Sequence, residues 1–128
     1  MNYSTDNTRI INKVDLVTPD DVISKYPLTD EISKLVYGTR NEVSQILHGK
    51  DDRLIAVVGP CSIHDPESAE EYAKLLIDEK EKYEEDILLI MRVYFEKPRT
   101  SIGWKGLIND PDMNNTFDAN KGLFLARS

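Results

Sequence analysis

Cysteine is almost absent from this chain: Cys61 is the only one among 128 residues. A single thiol cannot close an internal disulfide, so the small stapled scaffolds of secreted proteins are excluded. Long apolar runs are missing as well. The longest, Leu54–Val58 and Ile87–Met91, fall far short of the ~20 residues that a membrane helix needs. Residues 1–17 are polar and hold no apolar stretch of the signal-peptide kind, which makes the reducing cytoplasm the expected compartment and removes a membrane from the expected partners. There is no low-complexity tract and no repeat of solenoid length. What remains is an ordinary globular composition, 40% apolar and 30% charged, in a chain long enough for one domain.

The net charge is −7 at pH 7. An acidic protein is a poor non-specific partner for nucleic acid. Residues 92–105 nevertheless hold Arg92, Lys97, Arg99 and Lys105 against Glu96 alone, a local charge of +3. An island of that size suits a small anion better than a phosphate backbone, and a solvated loop with scattered charges is the bland alternative.

Secondary-structure signals are clear along most of the chain. Thr18-Pro19-Asp20-Asp21 reads as an N-cap, a first-turn proline and first-turn acids, predicting a short helix to about Lys25 that Tyr26-Pro27 breaks. Thr29-Asp30-Glu31 opens a longer helix with apolar positions Ile32, Leu35, Val36, Val43, Ile46 and Leu47 on one face, and Gly49 follows its end. "RLIAVVG" and "DILLIMRVY" read as strands buried on both faces, as in parallel sheets. Asp65-Pro66-Glu67 caps a helix between them that runs to about Glu84, and Asp118 caps a last segment. The order helix, helix, β, α, β, loop, α predicts parallel β-α units with a right-handed crossover. Two strands leave open edges, so the expectation is a piece of a larger fold.

Active sites in such architectures lie at the carboxyl ends of strands, and both unusual segments fall there. Cys61 and His64 follow the first strand. A buried small cysteine with His64 bonded to a helix start, two ligands of an incomplete metal site, and a Cys/His nucleophilic pair are all compatible with that spacing. After the second strand, Arg92 is placed to hold a carboxylate or phosphate, Lys97 and Arg99 flank the rigid Pro98, and Thr100 and Ser101 add hydroxyls. Gly103 and Gly106 around Trp104 and Lys105 permit tight turns, with Trp104 as a packing anchor for the loop.

"GPCSIHDP" at 59–66, "MRVYFEKPRT" at 91–100 and "GWKGLINDP" at 103–111 together resemble the type I, microbial-type 3-deoxy-D-arabino-heptulosonate 7-phosphate (DAHP) synthases. The resemblance extends through the N-terminal helices and covers essentially the whole chain. It implies an α/β fold in which residues 1–50 form a helical extension for subunit contact and regulation. Residues 51–128 then hold the first two β-α units of a TIM (β/α)8 barrel, truncated. Ser101-Ile102 stands where Thr-Val is more usual, and Asp112 where His is common.

By that resemblance the activity is condensation of phosphoenolpyruvate with erythrose 4-phosphate and water to DAHP and phosphate, the first step of the shikimate pathway to aromatic amino acids. The cofactor implied is a divalent metal, Mn, Fe or Co, with Cys61 as one ligand of a set that this chain does not complete. Arg92 and Lys97 correspond to phosphoenolpyruvate contacts and carry the catalytic role. Lys97, Pro98, Arg99 and Thr100 correspond to the erythrose phosphate site. His64 and Lys105 lie nearby without an assigned role, and Asp6 belongs to the region of aromatic amino-acid feedback. A homo-oligomer is implied for the full-length protein, and inactivity for a chain of this length. Three alternatives stand beside it: a non-catalytic chain that binds full-length subunits through residues 1–47, the sister synthase using arabinose 5-phosphate, and a Schiff-base aldolase through Lys97, whose cationic loop favours a lowered lysine pKa.

Overall fold

The computed structural model describes residues 5–10, 12–97 and 102–128. Pro98, Arg99, Thr100 and Ser101, together with residues 1–4 and Ile11, lie outside them. Six elements follow in order: α1 (Pro19–Lys25), α2 (Asp30–Leu47), β1 (Leu54–Val58), α3 (Pro66–Tyr83), β2 (Ile87–Met91) and α4 (Ala119–Arg127). Each predicted element is present.

The helix starts are set by local chemistry. Thr18 Oγ1 accepts the Asp21 amide while the Asp21 carboxylate accepts the Thr18 amide, a reciprocal box at the start of α1. Thr29 caps α2 at the Ile32 amide, Asp65 caps α3 at the Glu67 amide, and Asp118 caps α4 at the Lys121 amide. Proline stands in the first turn of α1 and α3, where its missing N–H costs nothing.

β1 and β2 pair in parallel, with Leu54 opposite Ile87 and Val58 opposite Met91. α3 makes the crossover and packs on β2, and α2 touches β1. At the amino ends of the strands Arg53 ties three elements together. Its Nη2 reaches Glu42 Oε2 of α2 and Asp51 Oδ2, both at 2.8 Å, and its Nη1 donates to the Glu84 carbonyl just past α3. The carboxylates of Asp51 and Glu42 raise the guanidinium pKa above its ordinary value, and the Arg53 contact holds the Asp51 carboxyl below its own.

The N-terminal segment and α4 are joined side by side. Asn120 accepts the Val17 amide at 2.8 Å and donates to the Asp15 carbonyl at 3.0 Å. The Lys25 ammonium sits 4.6 Å from the centre of the Phe124 ring. Gly122 is buried against the backbone of Leu107 and Ile108, an approach no larger residue permits.

Burial departs from the sequence expectation. Neither strand is buried on both faces: Leu54 is 71% and Val57 59% exposed, whereas Leu88 is 3% exposed. The apolar stripe of α2 is likewise open at Ile32, Leu35, Val36 and Leu47. The reason is physical: a two-stranded sheet with one crossover helix has too little material to cover both of its faces. The small buried core instead gathers Ile63, Leu88 and Leu107, so the loops after both strands contribute to it.

Candidate active site

The two loops that follow the strands are fastened to one another. Ile63 donates its amide to the Tyr94 carbonyl at 2.8 Å, and the Arg92 amide donates to Val58 at 2.6 Å. Arg92 then turns its side chain across the gap. Its Nη1 donates to the Pro60 carbonyl at 2.7 Å and to the Cys61 carbonyl at 2.6 Å, and the guanidinium lies 5.0 Å from the centre of the Tyr94 ring. Gly59, at φ +151, makes this approach possible, since a Cβ there would meet the Arg92 carbonyl at 2.6 Å. Thus the cysteine and the first cation of the basic island are neighbours, although 31 residues separate them.

Cys61 is exposed, which overturns the option of a buried structural thiol. His64 is exposed too. Among the described residues it makes no hydrogen bond to the helix start, where Asp65 and Ser68 pair instead at 2.6 Å. That bond, with the first-turn amides, holds the Asp65 carboxyl below its ordinary pKa. The wall beyond is a cavity of about 310 Å³ lined by Gly59, Ser62, His64, Asp65 and Tyr72 among others. It does not take in Arg92 or Lys97, both of which are half-buried. Ser62 is buried with its hydroxyl unpaired among the described residues.

Lys97 stands on a short antiparallel pair. Its amide donates to the Lys105 carbonyl at 2.8 Å, the Leu107 amide donates to Phe95 at 2.8 Å, and Glu96 bridges Gly106 between them. Gly106, at φ +134, is pressed against Phe95 and Glu96 where a side chain has no room. Trp104 donates its indole N–H to the Asp110 carbonyl at 2.6 Å, the anchoring role its position in the loop predicts. Sequence reasoning missed two residues of this loop. Glu96 accepts from the Ile108 amide and from Asn109 Nδ2, and the buried Asp110 carboxylate accepts from the Asn115 amide. An acid inside a basic island reads as an offset charge, and neither contact has a spacing signature.

Among the described residues no three His, Cys, Asp or Glu side chains gather as a metal-binding group. Cys61 is one soft donor, and a metal site needs three or four; the described donors do not make one. Asp6 is exposed in the N-terminal segment, away from these loops in sequence.

The model of the DAHP synthetase I family matches residues 25–126. The chain belongs to that family. A phospho-2-dehydro-3-deoxyheptonate aldolase from Haemophilus influenzae is 54% identical over 125 residues, 97% of this chain and 34% of that protein. The Phe-sensitive aldolase of the same name from Escherichia coli is 49% identical over 127 residues, 99% of this chain and 36% of that protein. The solved structure of the Francisella tularensis aldolase superimposes with a TM-score of 0.88 at 52% identity, covering 92% of this chain and 35% of that one. The chain therefore spans about a third of the length of these DAHP synthetase I relatives.

Proposed function

We propose that this chain supplies the phosphoenolpyruvate-binding corner of a DAHP synthase, a transferase that condenses phosphoenolpyruvate with erythrose 4-phosphate and water and releases phosphate. The observation that carries the reading is the pair of hydrogen bonds from Arg92 to the carbonyls of Pro60 and Cys61. It draws two distant segments together at the carboxyl ends of parallel strands, where α/β enzymes hold their substrates. The two β-α units are the first two of a (β/α)8 barrel in this reading, and residues 1–50 are the subunit-contact and regulatory extension.

In the reaction the enol carbon of phosphoenolpyruvate bonds to the aldehyde carbon of the sugar phosphate, water adds to the former enol C2, and its C–O bond to phosphate breaks. Both substrates are multiply charged anions, and holding them in reach of one another needs cations at fixed positions. Arg92 and Lys97 neutralise phosphoenolpyruvate, while Lys97, Pro98, Arg99 and Thr100 receive the erythrose phosphate. Arg92 exchanges a carbonyl contact for the substrate, so its guanidinium is positioned before the ligand arrives. Cys61 would be one ligand of the divalent metal, Mn, Fe or Co, in a set that the donors of this chain do not complete. The Phe-sensitive name of a relative supports an aromatic amino acid as effector, and in this reading it acts through the extension around Asp6. A homo-oligomer belongs to the same reading.

Titration of phosphoenolpyruvate into the chain, followed by backbone amide NMR, tests the assignment. Shifts are expected at Cys61, Arg92 and Lys97 with a dissociation constant on the order of a millimolar, as two cations without the rest of a pocket allow. Arg92→Ala and Lys97→Ala should each abolish them. Unmoved amides in the unsubstituted chain would overturn the reading. With erythrose 4-phosphate and manganese added, no phosphate release above a Cys61→Ala control is expected.

One observation favours a second reading, a non-catalytic chain that docks on longer synthase subunits: Ile32, Leu35 and Val36 form an open stripe on α2. Co-purification with a longer subunit, lost on Leu35→Lys, would support it.

A further inference from the structure

The strand pair under Lys97 is weak by itself. One bridge, Glu96 to Gly106, and two main-chain hydrogen bonds hold it, and its register sets Lys97 opposite Lys105. Like charges facing each other across a strand pair repel, so this arrangement tends to open. No ion pair to either lysine offsets the repulsion among the described residues. What closes the loop sits on Glu96. Its Oε1 accepts the Ile108 amide at 3.2 Å and its Oε2 accepts Asn109 Nδ2 at 2.5 Å. Gly106 leaves room for the carboxylate, since a Cβ there would come within 2.9 Å of Glu96 Cδ. Beyond the clamp, Leu107 is 1% exposed and anchors the returning strand in the core.

We propose that Glu96 is the positioning residue of the anion loop: by clamping Ile108 and Asn109 it fixes the strand pair that carries Lys97, and so sets where that ammonium meets phosphoenolpyruvate. The inference rests on the reading of Lys97 as a phosphoenolpyruvate contact. Charge alone gives the opposite sign. Glu96 is the one anion in a basic island, and its field opposes the binding of another anion. If Glu96 acted only as a charge, removing it would tighten binding; as a clamp, its loss weakens binding.

The test compares the unsubstituted chain, E96A and E96Q by phosphoenolpyruvate titration, amide hydrogen exchange and thermal melting. E96A is expected to speed exchange of the Ile108 and Lys97 amides by roughly tenfold while β1 and β2 keep theirs, as local opening does. Its dissociation constant for phosphoenolpyruvate should rise about tenfold or more, a loss on the scale of one charge-assisted hydrogen bond. E96Q keeps an acceptor for Ile108, and a flipped Asn109 amide restores the second bond, so its affinity should return to the parental value or exceed it. Binding by E96A as tight as or tighter than the parent overturns the proposal, as does a loss in E96Q equal to that in E96A. An unsubstituted chain that gives no shift with phosphoenolpyruvate overturns the assignment of Lys97 instead, and the exchange arm then decides the clamp by itself.

Discussion

Arg92 is held twice by one nitrogen, which makes it more than a charge. A lysine at that position carries the same charge on a flexible stem as a compact ammonium, without the planar group whose one nitrogen is set between the Pro60 and Cys61 carbonyls. Arg92→Lys should therefore loosen the 59–63 loop, seen as faster exchange of the Ile63 amide, and weaken phosphoenolpyruvate binding by roughly tenfold, the scale of one hydrogen bond to a charged group. An unchanged Ile63 amide would show that the carbonyl contacts do not hold the loop. The Schiff-base alternative is settled at Lys97. Borohydride added with both substrates should leave Lys97 unlabelled, as intact mass and peptide mapping will show, and a reduced adduct there would replace the metal-type reading. That the Cys61 and Arg92 segments lie together was legible in the sequence, because both follow a strand end, whereas the roles proposed for Cys61, Arg92 and Lys97 came from the family resemblance. Glu96 was not legible, because its meaning depends on Ile108 and Asn109, 12 and 13 residues away.

The helices and strands were legible for a different reason: their start signals are local. The box at Thr18 and Asp21 and the caps at Thr29, Asp65 and Asp118 each involve residues within three positions. Periodicity reports which face of each element is apolar and is silent about what covers it, so the expectation of strands buried on both faces is not met. The caps also predict how the elements respond to pH. Hydrogen bonds from Thr18, Arg53 and Ser68 hold the carboxyls of Asp21, Asp51 and Asp65 below the ordinary value. A depressed folded-state pKa means stability that is present above the unfolded value, about 3.9, and lost as pH falls through the folded one. Melting temperature should therefore fall below about pH 4, with helical signal from α1 and α3 going first. A melting temperature that held or rose down to pH 3 would remove the caps as a source of stability. Lys82 has the reverse sign: Glu79 raises its pKa, so that contribution persists to alkaline pH and disappears only above the ordinary lysine range.

At the scale of the molecule, the unusual quantity is apolar surface left in water. β1 and β2 form a sheet of two, so each has an outer edge with no strand beside it among the described residues. Leu54, Val57, Leu35 and Leu75 are all more than half exposed. Open edges beside apolar patches favour association with other chains. The family relatives are about three times as long as this chain, and two parallel strands do not close a sheet by themselves. If these residues are exposed because nothing covers them, charge placed on them should cost the isolated chain little. Leu54→Lys and Val57→Lys are expected to change unfolding free energy by less than about 0.5 kcal/mol, the range of ordinary surface substitutions. Leu88→Ala, by contrast, should cost about 2 to 5 kcal/mol, because Leu88 is enclosed. The same lysines should lower the apparent mass in light scattering at high protein concentration. Denaturant melts of the three variants, read beside scattering, give the answer. If Leu54→Lys destabilised the chain as much as Leu88→Ala, β1 would be covered in solution, and self-association through its edge would be the first explanation to pursue.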